Sequence, residues 1–360
     1  MNFKPVPLNK LLCGLDMLET SGDLVCDISS IEYDSRRVTP GALFVALPGT
    51  RDDGIAYAEE AVQRGAVAVL SQSPCLFGDR FPCVQVANAR LALARIAGEF
   101  YGHPAARLRA VGITGTNGKT TVSFMLREIF KAAGRPPGLI GTVRYEIGER
   151  VLPAARTTPE APDIQFMLAQ MNRSGCESVV MEVSSHALDQ HRVEGISFET
   201  GVFTNLTQDH LDYHGSLEEY FEVKCRLFSQ VKKCAVINRD DPWGVRLLTE
   251  CRFDAGRLTF GFDENADVQG FDAESDANGS RMRVASPWGG AEISLQLIGR
   301  FNLYNALAAF AVAASMGIPV ETIRDALAGM KNVPGRLEFC GSRKKKVFVD
   351  YAHTDDALRN

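Results

Sequence analysis

The chain has 360 residues, of which 45% are hydrophobic and 23% charged. That length fits about two domains with a remainder, and the composition supplies a large core and excludes general disorder. The 39 basic and 44 acidic side chains leave a net charge of −5, which argues against a nucleic-acid or anionic-membrane binder and leaves room for a local phosphate site.

Residues 1–88 read as a small α/β unit. Gly41 to Leu47, Val67 to Leu70 and Cys83 to Val86 are predicted strands, with a helix over Ala56 to Arg64 that stops at Gly65. A periodic helix then runs through Leu91, Ala94, Ile96, Ala97 and Phe100 and ends at Gly102 and Pro104. It is taken as a connecting helix over 89–104. From 105 to 333 strand and helix alternate: strands at 108–114, 178–183, 201–205 and 234–238, and helices at 120–133 and 217–231. Such alternation predicts a mainly parallel sheet covered by helices. Residues 254–298 alternate apolar and polar positions between Gly and Asn turns and are expected to form a small antiparallel addition. Helices over 303–316 and 320–330 follow, then a Val333-Pro334-Gly335 linker, and a new strand starts at Val347.

The longest apolar stretch, Ala306 to Val320, is interrupted by Ser315, Gly317 and Pro319 and is too short to cross a bilayer. Lys4 and Lys10 precede no continuous apolar run, so no signal peptide is expected. Nine cysteines lie between Cys13 and Cys340 without a Cys-x-x-Cys pair. They read as small apolar residues in a reducing cytoplasm, not as a disulfide frame or zinc site.

Gly112-Ile-Thr-Gly-Thr-Asn-Gly-Lys-Thr-Thr121 carries the strongest chemistry. A strand leads into a glycine-rich turn and a helix starts at the Lys-Thr pair, so that backbone N–H groups face bound phosphates. Lys119 reaches the terminal phosphates and Thr120 helps hold Mg²⁺. The commonest spacing needs glycine at 113, where this chain has Ile113, so the loop is a variant. Glu182 ends the apolar strand Val179–Val183. Strand ends of this kind line the ligand crevice of parallel sheets, and a carboxylate there either binds Mg²⁺ or is merely exposed. His210 and His214 have the i, i+4 spacing of a zinc pair, but Gly215 and the Ser216-x-x-Glu219 capping box put them in a loop. His210 is placed near the phosphates, and His214 is either structural or part of the site. Lys224 falls inside the apolar stripe Leu217, Tyr220, Phe221, Leu227, Phe228, Val231. It either snorkels or is a functional lysine of altered charge.

These motifs together resemble the Mur ligases of peptidoglycan synthesis, and within them the MurE branch. The resemblance spans nearly the whole chain: Asp34-Ser-Arg36, Pro40 to Ala46, Gly115 to Thr121, Thr157-Thr-Pro159, Glu182-Val-Ser-Ser-His186, Gln190-His-Arg192, Phe203 to Gly215, Phe301-Asn302 with Asn305, Pro334-Gly-Arg336 and Asp350 to Thr354. It implies an ATP- and Mg²⁺-dependent amide ligase of the cytoplasm. The enzyme is expected to be monomeric, without nucleic-acid partners or membrane insertion. It adds a diamino acid, meso-diaminopimelate or L-lysine, to UDP-N-acetylmuramoyl-L-alanyl-D-glutamate through an acyl phosphate. By the same resemblance, Gly115, Thr116, Asn117, Gly118, Lys119, Thr120, Thr121, Asn302 and Asn305 bind ATP. Tyr33, Ser35, Thr50, Arg51 and Asp52 hold the uridine nucleotide. Thr157, Thr158, Ser184, Gln190 and Arg192 position the muramoyl-dipeptide, and Thr120, Glu182 and His210 serve the metal. Lys119, Lys224 and His210 are the catalytic set, with Lys224 carried as a carbamate (N6-carboxylysine).

Two positions depart from the family pattern: Arg156 stands where asparagine is expected, and Asp355 where proline is expected. The family also has a third, Rossmann-like domain that receives the amino acid. Residues 334–360 are expected to be a linker and its first strand only, which predicts weak or absent turnover by this chain alone. The alternatives are a non-catalytic nucleotide or UDP-sugar binding fragment and a folylpolyglutamate-type ligase.

Overall fold

The computed structural model describes residues 3–49, 52–74, 77–340 and 347–352. They fall into two compact units. The first comprises residues up to 104 together with 159–169 and 190–195, and the second takes the remainder.

In the first unit the strands run in the order Met17–Ser21, Cys83–Val86, Ala66–Ser71, Ala42–Ala46, Ser30–Glu32. All neighbours are parallel except the Met17–Ser21 edge. The Ala89–Tyr101 helix belongs to this unit's core, where Leu93, Ile96 and Ala97 pack against Leu43, Val45 and Leu70. Its boundaries follow local chemistry. Asn88 caps its start by accepting from the Leu91 N–H at 3.0 Å. At its end Gly102 turns left-handed (φ 71) while His103 N–H returns to Gly98 O, a Schellman stop that only glycine adopts without strain.

The second unit is built on one sheet of eleven strands among the described residues. Its parallel part runs Pro137–Ile140, Ser178–Glu182, Arg109–Thr114, Phe198–Phe203, Val231–Asn238, Gly256–Gly261, with Val268 joining parallel at the end. Helices Lys119–Ala132 and Arg300–Ser315 pack together over it, burying Met125, Ile129, Phe310 and Leu307. Arg300–Ser315 is apolar nearly all round, with Ala306 through Ala313 fully buried, as a core helix should be.

Four expectations change. Gly256–Gly261 is parallel to its neighbour, so the antiparallel addition starts only where Gln269 pairs with Ala285 and continues through Ala291–Leu295. The other edge carries a second antiparallel piece, Arg144–Ile147 with Arg150–Pro153, which the sequence did not announce because its four-residue strands are too short to show a period. Its buried Glu146 is held by Arg127 at 2.7 Å and Arg144 at 2.8 Å. The predicted 217–231 helix stops at Cys225. A 3₁₀ turn over Phe228–Gln230 then hands the chain to Val231–Asn238, because the chain must reverse into a parallel strand there. Finally, Cys83 is disulfide-bonded, so the cysteines are not all the reduced set expected.

Candidate active site

The loop between Arg109–Thr114 and Lys119–Ala132 takes its shape from its glycines. Gly115 (φ 145) and Gly118 (φ 88) hold backbone conformations that side chains rarely adopt. A Cβ at 115 would run into Thr204 Oγ1, and one at 118 into Asn305 Oδ1. Gly112 faces the Phe198 ring, which is why the glycines fall at 112, 115 and 118 and position 113 carries a buried isoleucine. The loop is braced from the next strand end. Thr204 Oγ1 donates to Asn117 O at 2.6 Å, Asn205 Oδ1 accepts from Asn117 N–H at 2.9 Å, and Thr207 N–H donates to Thr116 Oγ1 at 3.0 Å. Thr204, Asn205 and Thr207 were not among the predicted site residues. Their position just after a parallel strand was the available signal. On the opposite side Asn305 and Asn302 are buried and joined at 3.1 Å.

Lys119 folds back over the loop and donates to Gly115 O and Thr116 O, both at 2.7 Å. Removal from water pushes its pKa down to about 8, against the pull of Glu182 and with a push from Arg336. Thr121 is buried at the start of the helix.

Glu182 is fully buried at the end of its strand, in register with Ile113. Its carboxylate accepts from Thr120 Oγ1 at 2.9 Å and from Thr142 N–H and Oγ1, each at 3.0 Å. Gly141 leaves the room: a Cβ there would meet the carboxylate. Among the described residues no cation lies within ion-pair distance of it. Arg336 Nη2 reaches Thr120 Oγ1 at 3.3 Å. Three of the five dipeptide candidates, Thr157, Thr158 and Ser184, gather on the same spot. Thr157 and Thr142 hydroxyls lie 3.0 Å apart, Thr158 Oγ1 donates to Glu182 O at 2.8 Å, and Ser184 N–H donates to Thr158 Oγ1 at 3.1 Å. Arg156 is exposed, and its backbone is held by the Tyr145 hydroxyl at 2.6 and 3.1 Å.

The histidines do not lie in an open loop. His210 takes a left-handed conformation (φ 54) and starts the one-turn helix Leu211–His214. His210 is half-exposed beside Asp209 (3.5 Å), and burial lowers its pKa. His214 is buried and paired with Ser185 Oγ at 2.9 Å. Burial, with help from His186, pushes its pKa to about 4 and keeps it neutral. Among the described residues no group of three His, Cys, Asp or Glu gathers as a metal site would need. Lys224 does not snorkel: it is 1% exposed. Its Nζ lies 4.3 Å from the Tyr220 ring centre, and burial, followed by Lys119, lowers its pKa well below the lysine range.

The uridine candidates belong to the first unit. Tyr33, Ser35, Phe44, Leu47, Asp52 and Tyr57 line a cavity of about 430 Å³. Ser35 donates to Glu60 at 2.8 Å and Tyr33 to Asp163 at 2.5 Å. Also in this unit, Arg192 bonds Gln190 at 2.6 Å and pairs with buried Glu160 at 3.1 Å. Thr50, Arg51 and Asp355 lie outside the described residues.

Similarity to known proteins agrees with this geometry. The family description "Mur ligase middle domain" matches residues 113–313, and "Mur ligase family, catalytic domain" matches 27–101. A protein of Geobacillus kaustophilus (strain HTA426) named UDP-N-acetylmuramoyl-L-alanyl-D-glutamate--2,6-diaminopimelate ligase is 45% identical over 343 residues, covering 93% of this chain and 69% of that protein. The UDP-N-acetylmuramyl-tripeptide synthetase of Roseiflexus sp. (strain RS-1) is 44% identical over 350 residues, covering 92% and 69%. A solved UDP-N-acetylmuramoyl-L-alanyl-D-glutamate--2,6-diaminopimelate ligase superposes with a TM-score of 0.83 at 28% identity, covering 99% of this chain and 73% of that one. MurF from Acinetobacter baumannii shares the fold at a TM-score of 0.75 and 21% identity. The phosphate loop, the buried strand-end carboxylate and these relatives lead to one conclusion: the chain belongs to the Mur ligase family, whose members are ATP-dependent acid–amino-acid ligases.

Proposed function

We propose that this chain is a MurE-type ligase that joins a diamino acid to UDP-N-acetylmuramoyl-L-alanyl-D-glutamate in the cytoplasm, using ATP. The reading rests above all on Glu182. Its buried carboxylate touches the phosphate-loop Thr120 and the Thr142 hydroxyl, while its own carbonyl accepts from Thr158. One strand end therefore joins the phosphate side to the residues proposed for the dipeptide.

A carboxylate so buried, met by hydroxyls and one N–H and, among the described residues, within ion-pair distance of no cation, suits a divalent ion. Thr120, Glu182 and His210 are the residues proposed to hold Mg²⁺. When bound, that ion neutralises phosphate charge as the γ-phosphoryl group is transferred. Lys119 trades its two loop carbonyls for phosphate oxygens, and the anion favours its ammonium form. Thr157, Thr158 and Ser184 orient the D-glutamate carboxylate. That carboxylate attacks the γ-phosphorus and releases ADP. The amine of the diamino acid then attacks the resulting acyl phosphate, and inorganic phosphate leaves with the C–O bonding pair. Phosphorylation is needed because a bare carboxylate has no adequate leaving group. Burial lowers the pKa of Lys224 well below the lysine range, which favours the neutral amine that adds CO₂, and the resulting anion would support the metal.

A folylpolyglutamate-type ligase shares the phosphate loop without needing a uridine site, so binding separates the readings. Titration calorimetry is expected to show UDP competing with the UDP-muramoyl-dipeptide and no competition from a reduced folate. Mass spectrometry after incubation with ATP, Mg²⁺ and either diamino acid is the direct test of tripeptide formation. Folate binding without UDP binding overturns the proposal.

A further inference from the structure

We propose that Tyr220 is the positioning residue for Lys224: its ring seats the lysine head group and keeps water from it, and its hydroxyl ties that ring to the phosphate loop. The inference rests on the carbamate reading of Lys224 given above. Tyr220 stands one helical turn before Lys224 on the Leu217–Cys225 helix, an i, i+4 pair whose side chains share one face. Both are 1% exposed. Lys224 Nζ sits 4.3 Å from the ring centre, so the ring covers the head group on that side.

The ring itself is held on several sides. Its hydroxyl lies 3.4 Å from Thr116 Oγ1, and that same threonine oxygen accepts from Thr207 N–H. The His214 ring lies 4.9 Å away and tilted against the Tyr220 ring. Thr116 thus ties the Tyr220 ring to the phosphate loop, and His214 packs the ring against the turn that begins at His210.

Carbamylation needs the free amine. The neutral Nζ attacks the carbon of CO₂, an N–C bond forms, and one C=O pair moves onto oxygen. A nitrogen proton leaves to a base in bulk solvent, giving an anionic carbamate. Water at the amine favours its protonated, unreactive form, so a ring that covers the head group favours the reaction. The ring and the hydroxyl have separable tasks: the ring governs carbamate formation, and the hydroxyl governs the phosphate loop.

Carbon-13 NMR of the intact chain in labelled bicarbonate reads carbamate occupancy, and calorimetry with Mg-ADP reads the loop. Tyr220→Phe keeps the ring and is expected to leave the half-saturating bicarbonate unchanged while weakening ADP about 2- to 10-fold, the worth of one hydrogen bond. Tyr220→Leu removes the ring, admits water to the amine, and is expected to raise the half-saturating bicarbonate about 3-fold or more. Thermal unfolding of both variants checks folding, and rescue of occupancy by phenylalanine separates a seat from a mere core residue. Wild-type bicarbonate dependence in Tyr220→Leu, equal losses in both variants, or unchanged ADP binding in Tyr220→Phe overturns the inference. Absence of a carbamate signal in the wild-type chain instead overturns the reading on which it rests.

Discussion

The parallel and antiparallel parts of the large sheet treat polar residues in opposite ways. Ser178–Glu182 is buried at every position, as is Arg109–Thr114 apart from Arg109 itself, and their polar groups collect at the ends, in Thr114 to Thr120 and Glu182 to Ser184. Gly279–Ala285 alternates buried and exposed along its length, and its charges pair in solvent: Arg281 with Glu274 at 2.6 Å and Arg283 with Asp272 at 3.4 Å. A parallel sheet covered on both faces has nowhere to put a polar side chain except its ends. An antiparallel ribbon with one wet face spreads its charges along the strand, where each contributes little. Charge in this protein therefore matters by where it is buried, and that can be broken experimentally.

The largest effects are expected at Glu182 and Lys224. Glu182→Gln keeps the size and an acceptor for Thr142 N–H but removes the charge, and is expected to cost about 1000-fold in Mg²⁺-dependent phosphate release. A variant within tenfold of wild type refutes the metal role. Lys224→Ala is expected to abolish turnover, with partial return on adding short carboxylic acids; a loss that no acid restores points to a purely structural lysine. His214 gives an acid limb. Its folded pKa, about 4, lies below the unfolded value, so the unfolded chain takes up a proton first as pH falls through 6.5. Stability is then lost progressively between pH 6.5 and 4, by an amount on the order of 1–2 kcal/mol after allowance for solvent screening. Urea midpoints of His214→Gln should lack this slope. Lys119 gives the alkaline counterpart. Above about pH 8 the free protein holds a neutral amine there that must regain a proton to bind phosphate, so nucleotide affinity should fall about tenfold per pH unit. Calorimetry in buffers of different ionisation enthalpy should register proton uptake. At the other extreme, Arg281→Ala on the wet ribbon is expected to change stability by less than about 0.5 kcal/mol, and a loss above 2 kcal/mol would erase the contrast between the two parts of the sheet.

Much of the fold was legible in the chain because its signals are local. Gly118 followed by Lys-Thr-Thr, the Ser216 capping box and the Gly102 stop each act within a few residues. The gathering of Glu182, Thr120, Thr142 and Thr158 was legible only in part: strand-end position pointed to Glu182, whereas Thr142 sits after a strand whose buried run is four residues long. Lys224 was readable as an anomaly in an apolar stripe, but not as a side chain lying on the Tyr220 ring.

The sequence by itself determined the phosphate loop, the alternation of strand and helix and the family resemblance, because backbone conformation and hydrophobic period are properties of neighbouring residues. Tertiary structure alone decided which strand ends meet. It set Glu182 beside Thr120 across 62 positions of chain, Thr207 beside Thr116 and Tyr220 beside both Thr116 and Lys224. It also decided the direction of Gly256–Gly261, which the alternating pattern had suggested was antiparallel. Side-chain periodicity records which face of a strand is buried. It carries no information about the direction of the strand alongside or about which distant loop closes over its end.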